Sequence, residues 1–128
     1  MNRPALASSL ISTGWPGRRV KYLENVLILF GRPIEPDVFD SHLGNKFSPI
    51  LRSVPNVKRI EFNQIAGAAH GNSPYYLIVE MQFDSDEAMQ EGLNSEAGQA
   101  MARDLSEFAS GGVTVLFAEV AIESMAAP

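Results

Sequence analysis

His42, which can exchange a proton, and Lys46, which can attract an anion, lie four residues apart. The apolar residues of this segment have helical spacing. On a helix this separation places both on one flank, beside Phe39. Histidine exchanges a proton near neutral pH, and Lys46 could attract a carboxylate or phenolate at a pocket mouth. His42 is therefore a candidate catalytic base and Lys46 a candidate ligand-binding residue. The alternative is a solvated flank, on which the lysine stem covers apolar surface.

Two adjacent tyrosines, Tyr75 and Tyr76, begin a predicted strand and are expected to point to opposite faces of the sheet. One hydroxyl could bind a ligand in a cavity while the other lies at a subunit interface. The alternative is that both are present because strands favour tyrosine. Met81, later in the same strand, is either an adaptable pocket wall or core filler.

A cluster of charged side chains is predicted on the neighbouring strands. Its members are Arg59, Glu61 and Glu80. A desolvated carboxylate can act as a base, which makes Glu80 a second catalytic candidate. The alternative is an ion pair between Arg59 and a glutamate, across the sheet or across a dimer interface.

Motifs for other chemistries are missing from the sequence. There is no cysteine, and His70 lies alone in a Gly- and Ser-containing loop without a His-Glu-x-x-His pattern. The glycines form neither a phosphate loop nor a dinucleotide fingerprint, and no Gly-x-Ser-x-Gly elbow occurs. We therefore expect neither a metal nor a cofactor.

The elements that must position these residues follow from one apolar helical spacing that occurs twice, at i, i+4, i+8 and i+11. The two sets are Phe39, Leu43, Phe47, Ile50 and Ala97, Met101, Leu105, Phe108. Predicted strands surround them at Asn25–Phe30, Lys58–Phe62, Tyr75–Met81 and Val113–Phe117. The order strand, helix, strand, strand, helix, strand predicts an α+β, ferredoxin-like split βαβ fold, with a four-stranded antiparallel sheet and both helices on one face.

Proline, serine and glycine set the expected helix boundaries. Pro36 is expected to begin the first helix, and Pro49 to kink or end it. Asp84 is the predicted N-cap of the second helical region, and Ser95 is expected to cap a second segment after an interruption. Gly111 and Gly112 are expected to end that segment.

The composition describes an acidic globular chain of 128 residues, which suits one domain. We expect an ordered extension over residues 1–21, anchored by Trp15, and a ferredoxin-like domain over residues 22–128. The net charge of −5 argues against nucleic acid as a partner, and no apolar run is long enough for a membrane span. The absence of cysteine fits a reducing compartment, so we predict a cytoplasmic protein.

One face of the predicted sheet has no helix to cover it. The first strand is apolar on both faces, whereas the second and third strands carry polar residues on this open face. An apolar centre with a polar border is typical of a protein–protein contact. We therefore predict a homodimer in which two such faces meet.

Several short motifs in a fixed order resemble the EthD (ethyl tert-butyl ether degradation) family of the dimeric α+β barrel superfamily, over about residues 24–120. They are Leu27–Pro33, Val38–Asp40, Ser48–Ile50, Val54–Pro55, Tyr75–Tyr76, Phe83–Ser85 and Gly111–Phe117. The resemblance implies a ferredoxin-like fold, a homodimer, and a cavity between sheet and helices. Family members are associated with the breakdown of ether or aromatic compounds, and some relatives are cofactor-free isomerases, decarboxylases or monooxygenases.

The chain departs from the family at Phe47, where the first helix usually has a histidine two residues before its proline. Phenylalanine cannot transfer a proton, but it can contact an apolar ligand. The leading hypothesis is an EthD-like protein that binds a small hydrophobic or aromatic metabolite and has an accessory catabolic role. The alternatives are a cofactor-independent isomerase, lyase or monooxygenase, and a structural dimer with a filled interior.

Overall fold

The computed structural model describes residues 20–123, and it confirms the predicted order of strands and helices. The elements are β1 (Val20–Gly31), α1 (Pro36–His42), a π-helical segment π1 (Leu43–Phe47), α2 (Ser48–Ser53), β2 (Arg59–Gln64), β3 (Tyr75–Phe83), α3 (Asp86–Asn94), α4 (Glu96–Phe108) and β4 (Val113–Glu123). Strand β1 therefore includes residues 20 and 21 of the predicted extension. The rest of that extension, with Trp15, lies outside the described residues.

The four strands form one antiparallel sheet in the order β2-β3-β1-β4, so β1 lies between two partners. On the face covered by the helices, Val26, Ile28 and Phe30 of β1 are fully buried. Leu27 and Leu29 alternate onto the other face, which no described helix covers. This is the ferredoxin-like arrangement that the sequence predicts.

The core fills the space between sheet and helices with large apolar side chains. Those that are fully buried are Phe30, Phe47, Phe83, Ile28, Leu51, Met81, Met89, Val26 and Val79. Each such side chain stabilises the fold by about 1.5–3 kcal/mol relative to an exposed position. The rings of Phe30 and Phe47 meet edge to face with centroids 6.0 Å apart, a favourable aromatic geometry.

The first helical region begins at Pro36, as predicted, but it does not end at Pro49. The backbone widens into π1 just before the proline, and the Ser48 N–H bonds to the Leu43 carbonyl five residues earlier. Pro49 then falls in the first turn of α2, where a missing N–H is tolerated. The irregularity is therefore a π-helical turn.

The second helical region begins one residue later than predicted. Ser85, not Asp84, is the N-cap of α3, and its Oγ accepts a hydrogen bond from the Ala88 N–H at 3.1 Å. Asp84 instead lies 3.5 Å from Nζ of Lys58. The predicted second cap is confirmed, because Ser95 Oγ accepts from an N–H in the first turn of α4 at 3.1 Å.

A β-bulge at the start of β3 changes the direction of Tyr76. Phe30 pairs with Leu77 and Gly31 pairs with Tyr75, so Tyr76 has no opposite residue on β1. The extra residue interrupts the alternation of side chains. Tyr76 therefore lies on the helix side of the sheet, against Phe39, and not on the open face to which strict alternation would assign it.

Candidate functional site

The first candidate site is a cavity of about 400 Å³ between the first helical region and the β2–β3 edge of the sheet. We call it the Tyr76 groove. Its walls are Asp40, Leu43, Gly44, Ser48, Phe62, Gln64, Tyr76 and Leu77. A Cβ atom at Gly44 would meet no other group, so this residue leaves space open within π1. The π-helical turn and the bulge in β3 thus bring irregular backbone to opposite walls of the groove.

The polar part of this groove is a hydrogen bond between strand and helix. The Tyr76 hydroxyl donates to the two carboxylate oxygens of Asp40 at 2.9 and 3.0 Å. This bond raises the pKa of Tyr76 above its ordinary value, because ionising the phenol would break it; partial desolvation and the charge of Asp40 act in the same direction. Tyr76 therefore keeps its proton at neutral pH, and its oxygen can still accept a hydrogen bond.

The second candidate site is a cavity of about 530 Å³ between α1 and the end of α4. We call it the His42 groove. Its walls are Ile34, Glu35, Val38, Phe39, His42, Glu107, Phe108 and Ser110.

Two close contacts hold the rim of the His42 groove. Ser110 Oγ accepts a hydrogen bond from the Ile34 N–H at 3.1 Å. Gly31 and Gly111 bring two backbone segments together so closely that a Cβ on either would overlap a carbonyl oxygen of the other segment. The loop after α4 is thereby fixed against the chain that follows β1.

A histidine–carboxylate pair forms part of this second groove. Nε2 of His42 lies 2.9 and 2.8 Å from the two carboxylate oxygens of Asp104, which is only 3% exposed. The imidazole is stacked on Phe108 with centroids 4.3 Å apart and planes inclined by 22°. The buried carboxylate and the ring fix the orientation of His42, as the orienting carboxylate does in histidine-dependent active sites.

Lys46 lies beside this pair, so its charge is directed toward carboxylates. Its Nζ atom is 3.6 Å from Asp104 and 4.0 Å from Glu107. The side chain is 58% exposed, and it lines neither groove. Lys46 therefore balances the charge of the buried Asp104.

A model of the EthD domain family matches residues 32–112. The chain belongs to the EthD family. An uncharacterised 11.0 kDa protein from the thcB–thcC intergenic region of Rhodococcus erythropolis is 35% identical over 95 residues, which are 73% of this chain and 91% of that protein.

A solved structure agrees with this assignment, and a second shares the fold. The crystal structure of an EthD family protein from Bacillus halodurans has a TM-score of 0.73 and 28% identity, and it covers 77% of this chain and 98% of its own. A dimeric ferredoxin-like protein of unknown function from Thermobifida fusca has a TM-score of 0.60 at 14% identity, over 78% of this chain and 92% of its own. The second likeness supports the fold.

The EthD domain places the remaining candidate residues away from both grooves. Phe47 and Met81 are fully buried in the filled core. Tyr75 lines neither groove. Glu80 lies on the open face, where its two oxygens accept hydrogen bonds from the Asn25 and Asn63 amides at 3.3 and 3.2 Å.

Only one ion pair forms within the predicted cluster of charged side chains around Glu80. Arg59 and Glu61 form an ion pair at 2.9 Å on the same strand. Glu61 lies directly opposite Glu80 in the β2–β3 register. Within residues 20–123, no group of three or more potential metal-binding side chains converges, and no helix in that range is long and apolar enough to cross a membrane.

Sequence reasoning missed the two carboxylates that organise the grooves, Asp40 and Asp104. A signal for Asp104 existed, because it lies between Met101 and Leu105 on the apolar stripe of α4. A carboxylate in such a position is buried and needs a partner. Asp40 gave no comparable signal, since its contact with Tyr76 depends on the bulge.

Proposed function

We propose that this EthD-family protein binds a small hydrophobic or aromatic metabolite in the Tyr76 groove. Its role would be accessory, in the breakdown of ether or aromatic compounds in the cytoplasm. The observation that carries the proposal is the bulge in β3, which directs Tyr76 into a largely apolar cavity of about 400 Å³. Cavities of this size and character are typical of small-molecule sites.

The polar groups of the groove favour a neutral ligand that donates a hydrogen bond. Tyr76 gives its only hydrogen to Asp40, so both side chains offer acceptor oxygens to a ligand. The negative charge of Asp40 disfavours a carboxylate. Leu43, Phe62 and Leu77 supply the apolar walls. A small aromatic alcohol fits this pattern better than an aromatic acid does.

Backbone amide NMR during titration tests the proposal with benzyl alcohol and benzoate as paired probes. Benzyl alcohol should shift the amides around Tyr76, Leu43 and Phe62, whereas benzoate should not. Tyr76→Phe should weaken benzyl alcohol about threefold to tenfold, the effect of one hydrogen bond. The matched control is Tyr75→Phe, which should bind as the unmodified protein does. The proposal fails if neither probe shifts these amides, or if both tyrosine variants bind equally.

The same proposal includes a homodimer formed through the open face of the sheet. Leu27 and Leu116 are direct neighbours there, and Leu116 is 47% exposed. The Oδ1 atom of Asn25, on the same face, is buried without a hydrogen-bond partner among the described residues. A second subunit would cover the leucines and supply a donor, and the Thermobifida fusca relative is described as dimeric.

Light scattering after size-exclusion chromatography tests the dimer with two matched variants. Leu116→Lys places a charge on the open face, whereas Val115→Lys places it on the opposite face of the same strand. Both positions are exposed, at 47% and 39%. Leu116→Lys should give a monomer and Val115→Lys should stay dimeric. A monomeric unmodified protein at micromolar concentration refutes this interface.

Catalysis is the second candidate function, as a cofactor-independent isomerase, lyase or monooxygenase. It is favoured by one observation, the buried Asp104 that orients His42 beside a cavity. General base catalysis typically contributes a factor of about 10²–10⁴ to a rate. For any turnover detected with ether or aromatic compounds, His42→Ala should lower the rate by this factor. An unchanged rate removes His42 from the reaction.

A further inference from the structure

The contact between His42 and Asp104 determines which histidine nitrogen is available to a ligand. Both oxygens of the carboxylate lie within 3 Å of Nε2. A carboxylate accepts hydrogen bonds, so Nε2 carries the hydrogen and donates it. In the neutral imidazole, Nδ1 is then the acceptor. No described residue forms a hydrogen bond with Nδ1, although the side chain is 24% exposed and lines a cavity.

The surroundings of the free nitrogen are aromatic and apolar on one side and acidic on the other. Phe39 and Phe108 contribute rings whose centroids are 5.1 Å apart. Val38 adds aliphatic surface that is 61% exposed. Glu35 and Glu107 place carboxylates among the walls. An aromatic molecule gains contact with the rings, whereas an anion is repelled by the two glutamates.

We propose that the His42 groove is a second binding site, for a neutral phenol-type ligand whose hydroxyl donates a hydrogen bond to Nδ1 of His42. The ring of the ligand packs against Phe39 and Phe108. Asp104 is a positioning residue, because it fixes the tautomer and orientation of the imidazole. Nζ of the neighbouring Lys46 lies 3.6 Å from the same carboxylate. This inference rests neither on binding in the Tyr76 groove nor on turnover.

The test uses 4-fluorophenol as the probe and 4-fluoroanisole, which lacks the hydroxyl hydrogen, as its matched control. Protein with ¹⁵N-labelled histidine is titrated at about pH 8, above the ordinary pKa of histidine. Long-range ¹H–¹⁵N spectra identify the tautomer directly. We expect the hydrogen on Nε2, and a shift of the Nδ1 signal of His42 with 4-fluorophenol only. A doubly protonated ring, a hydrogen on Nδ1, or an Nδ1 signal that ignores 4-fluorophenol would overturn the proposal.

A matched variant separates the ligand contact from the structural contact. In His42→Gln, the side-chain amide can still donate to Asp104 but offers no equivalent of Nδ1. The dissociation constant for 4-fluorophenol, taken from the shifts of backbone amides that line the His42 groove, should rise at least about fivefold. Equal affinity of the variant and the unmodified protein would contradict the proposal. The labelled-histidine spectra decide the question if the variant does not fold.

Binding in the two grooves is distinguished by position. Tyr76→Phe should leave the Nδ1 shift of His42 unchanged, because Tyr76 does not line the His42 groove. The benzyl alcohol experiment reports on amides around Tyr76. Either proposal can therefore fail while the other holds. A phenol-induced Nδ1 shift that disappears in Tyr76→Phe would refute the second site.

Discussion

The contact between His42 and Asp104 should stabilise the packing of α1 on α4 by an amount that two substitutions can resolve. His42→Ala removes both the imidazole and its hydrogen bond, and it leaves a carboxylate that is 3% exposed with Lys46 as its remaining partner. His42→Gln keeps a donor for the same carboxylate. Both variants remove the aromatic ring that is stacked on Phe108.

The expected magnitude follows from the burial and the partners. Removing one partner of a buried ion pair or hydrogen-bonded charge costs about 3–5 kcal/mol. Here Lys46 and water that enters the enlarged groove reduce this to about 2–3 kcal/mol. Loss of the ring contact with Phe108 adds about 1 kcal/mol. We therefore expect His42→Ala to lower the free energy of unfolding by about 3–4 kcal/mol, and His42→Gln by about 1–2 kcal/mol.

Urea denaturation followed by far-ultraviolet circular dichroism measures these differences by linear extrapolation. Asp104→Leu, alone and with His42→Ala, completes a double-mutant cycle, in which a coupling energy of about 1.5 kcal/mol or more is expected. If His42→Ala and His42→Gln both lie within about 0.5 kcal/mol of the unmodified protein, the buried carboxylate does not depend on the imidazole. The same result would refute the assignment of Asp104 as a positioning residue.

Three further substitutions, together with Asp84→Ala as a control, test the turns, caps and contacts of the fold. Tyr76→Phe should cost about 0.5–1.5 kcal/mol near neutral pH. The folded pKa of Tyr76 is raised. Its contribution to stability is therefore complete below the unfolded pKa of about 10 and is lost as the pH rises through the higher folded pKa. The stability curves of the two proteins should converge at alkaline pH. Gly111→Ala should lower the thermal midpoint, since its Cβ overlaps backbone, and an unchanged midpoint contradicts the close approach. Ser85→Ala should cost about 1 kcal/mol in urea denaturation, whereas Asp84→Ala should cost less; the reverse order would restore Asp84 as the cap.

The sequence predicted the fold well because hydrophobic periodicity and glycine, serine and proline signals all act locally. The spacing of Phe39 and Phe47 identified the buried side of the first helical region without knowledge of its partners. Ser95 identified its helix start for the same reason. The predicted cap, Asp84, lies one residue before the observed cap, Ser85, and both residue types cap helices well.

The site was less predictable, because it depends on irregular backbone and on contacts between distant residues. The bulge at Tyr76 arises from the pairing of β3 with β1, which no short stretch of sequence specifies. Sequence reasoning likewise expected Pro49 to kink or end the helix, whereas the backbone forms a π-helical turn just before it. His42 was identified as a candidate, but its partner Asp104 lies 62 residues away in the chain.

Polar groups of this EthD domain face two cavities beside its filled core. Phe47 is fully buried in that core, and its side chain cannot exchange a proton. The polar groups lie instead on both sides of α1, with Asp40 in one groove and His42 in the other. Phe39 lies between them, with its ring 5.5 Å from Tyr76 and 5.1 Å from Phe108. The short helix α1 is held by this aromatic packing, and its orientation therefore sets the geometry of both grooves at once.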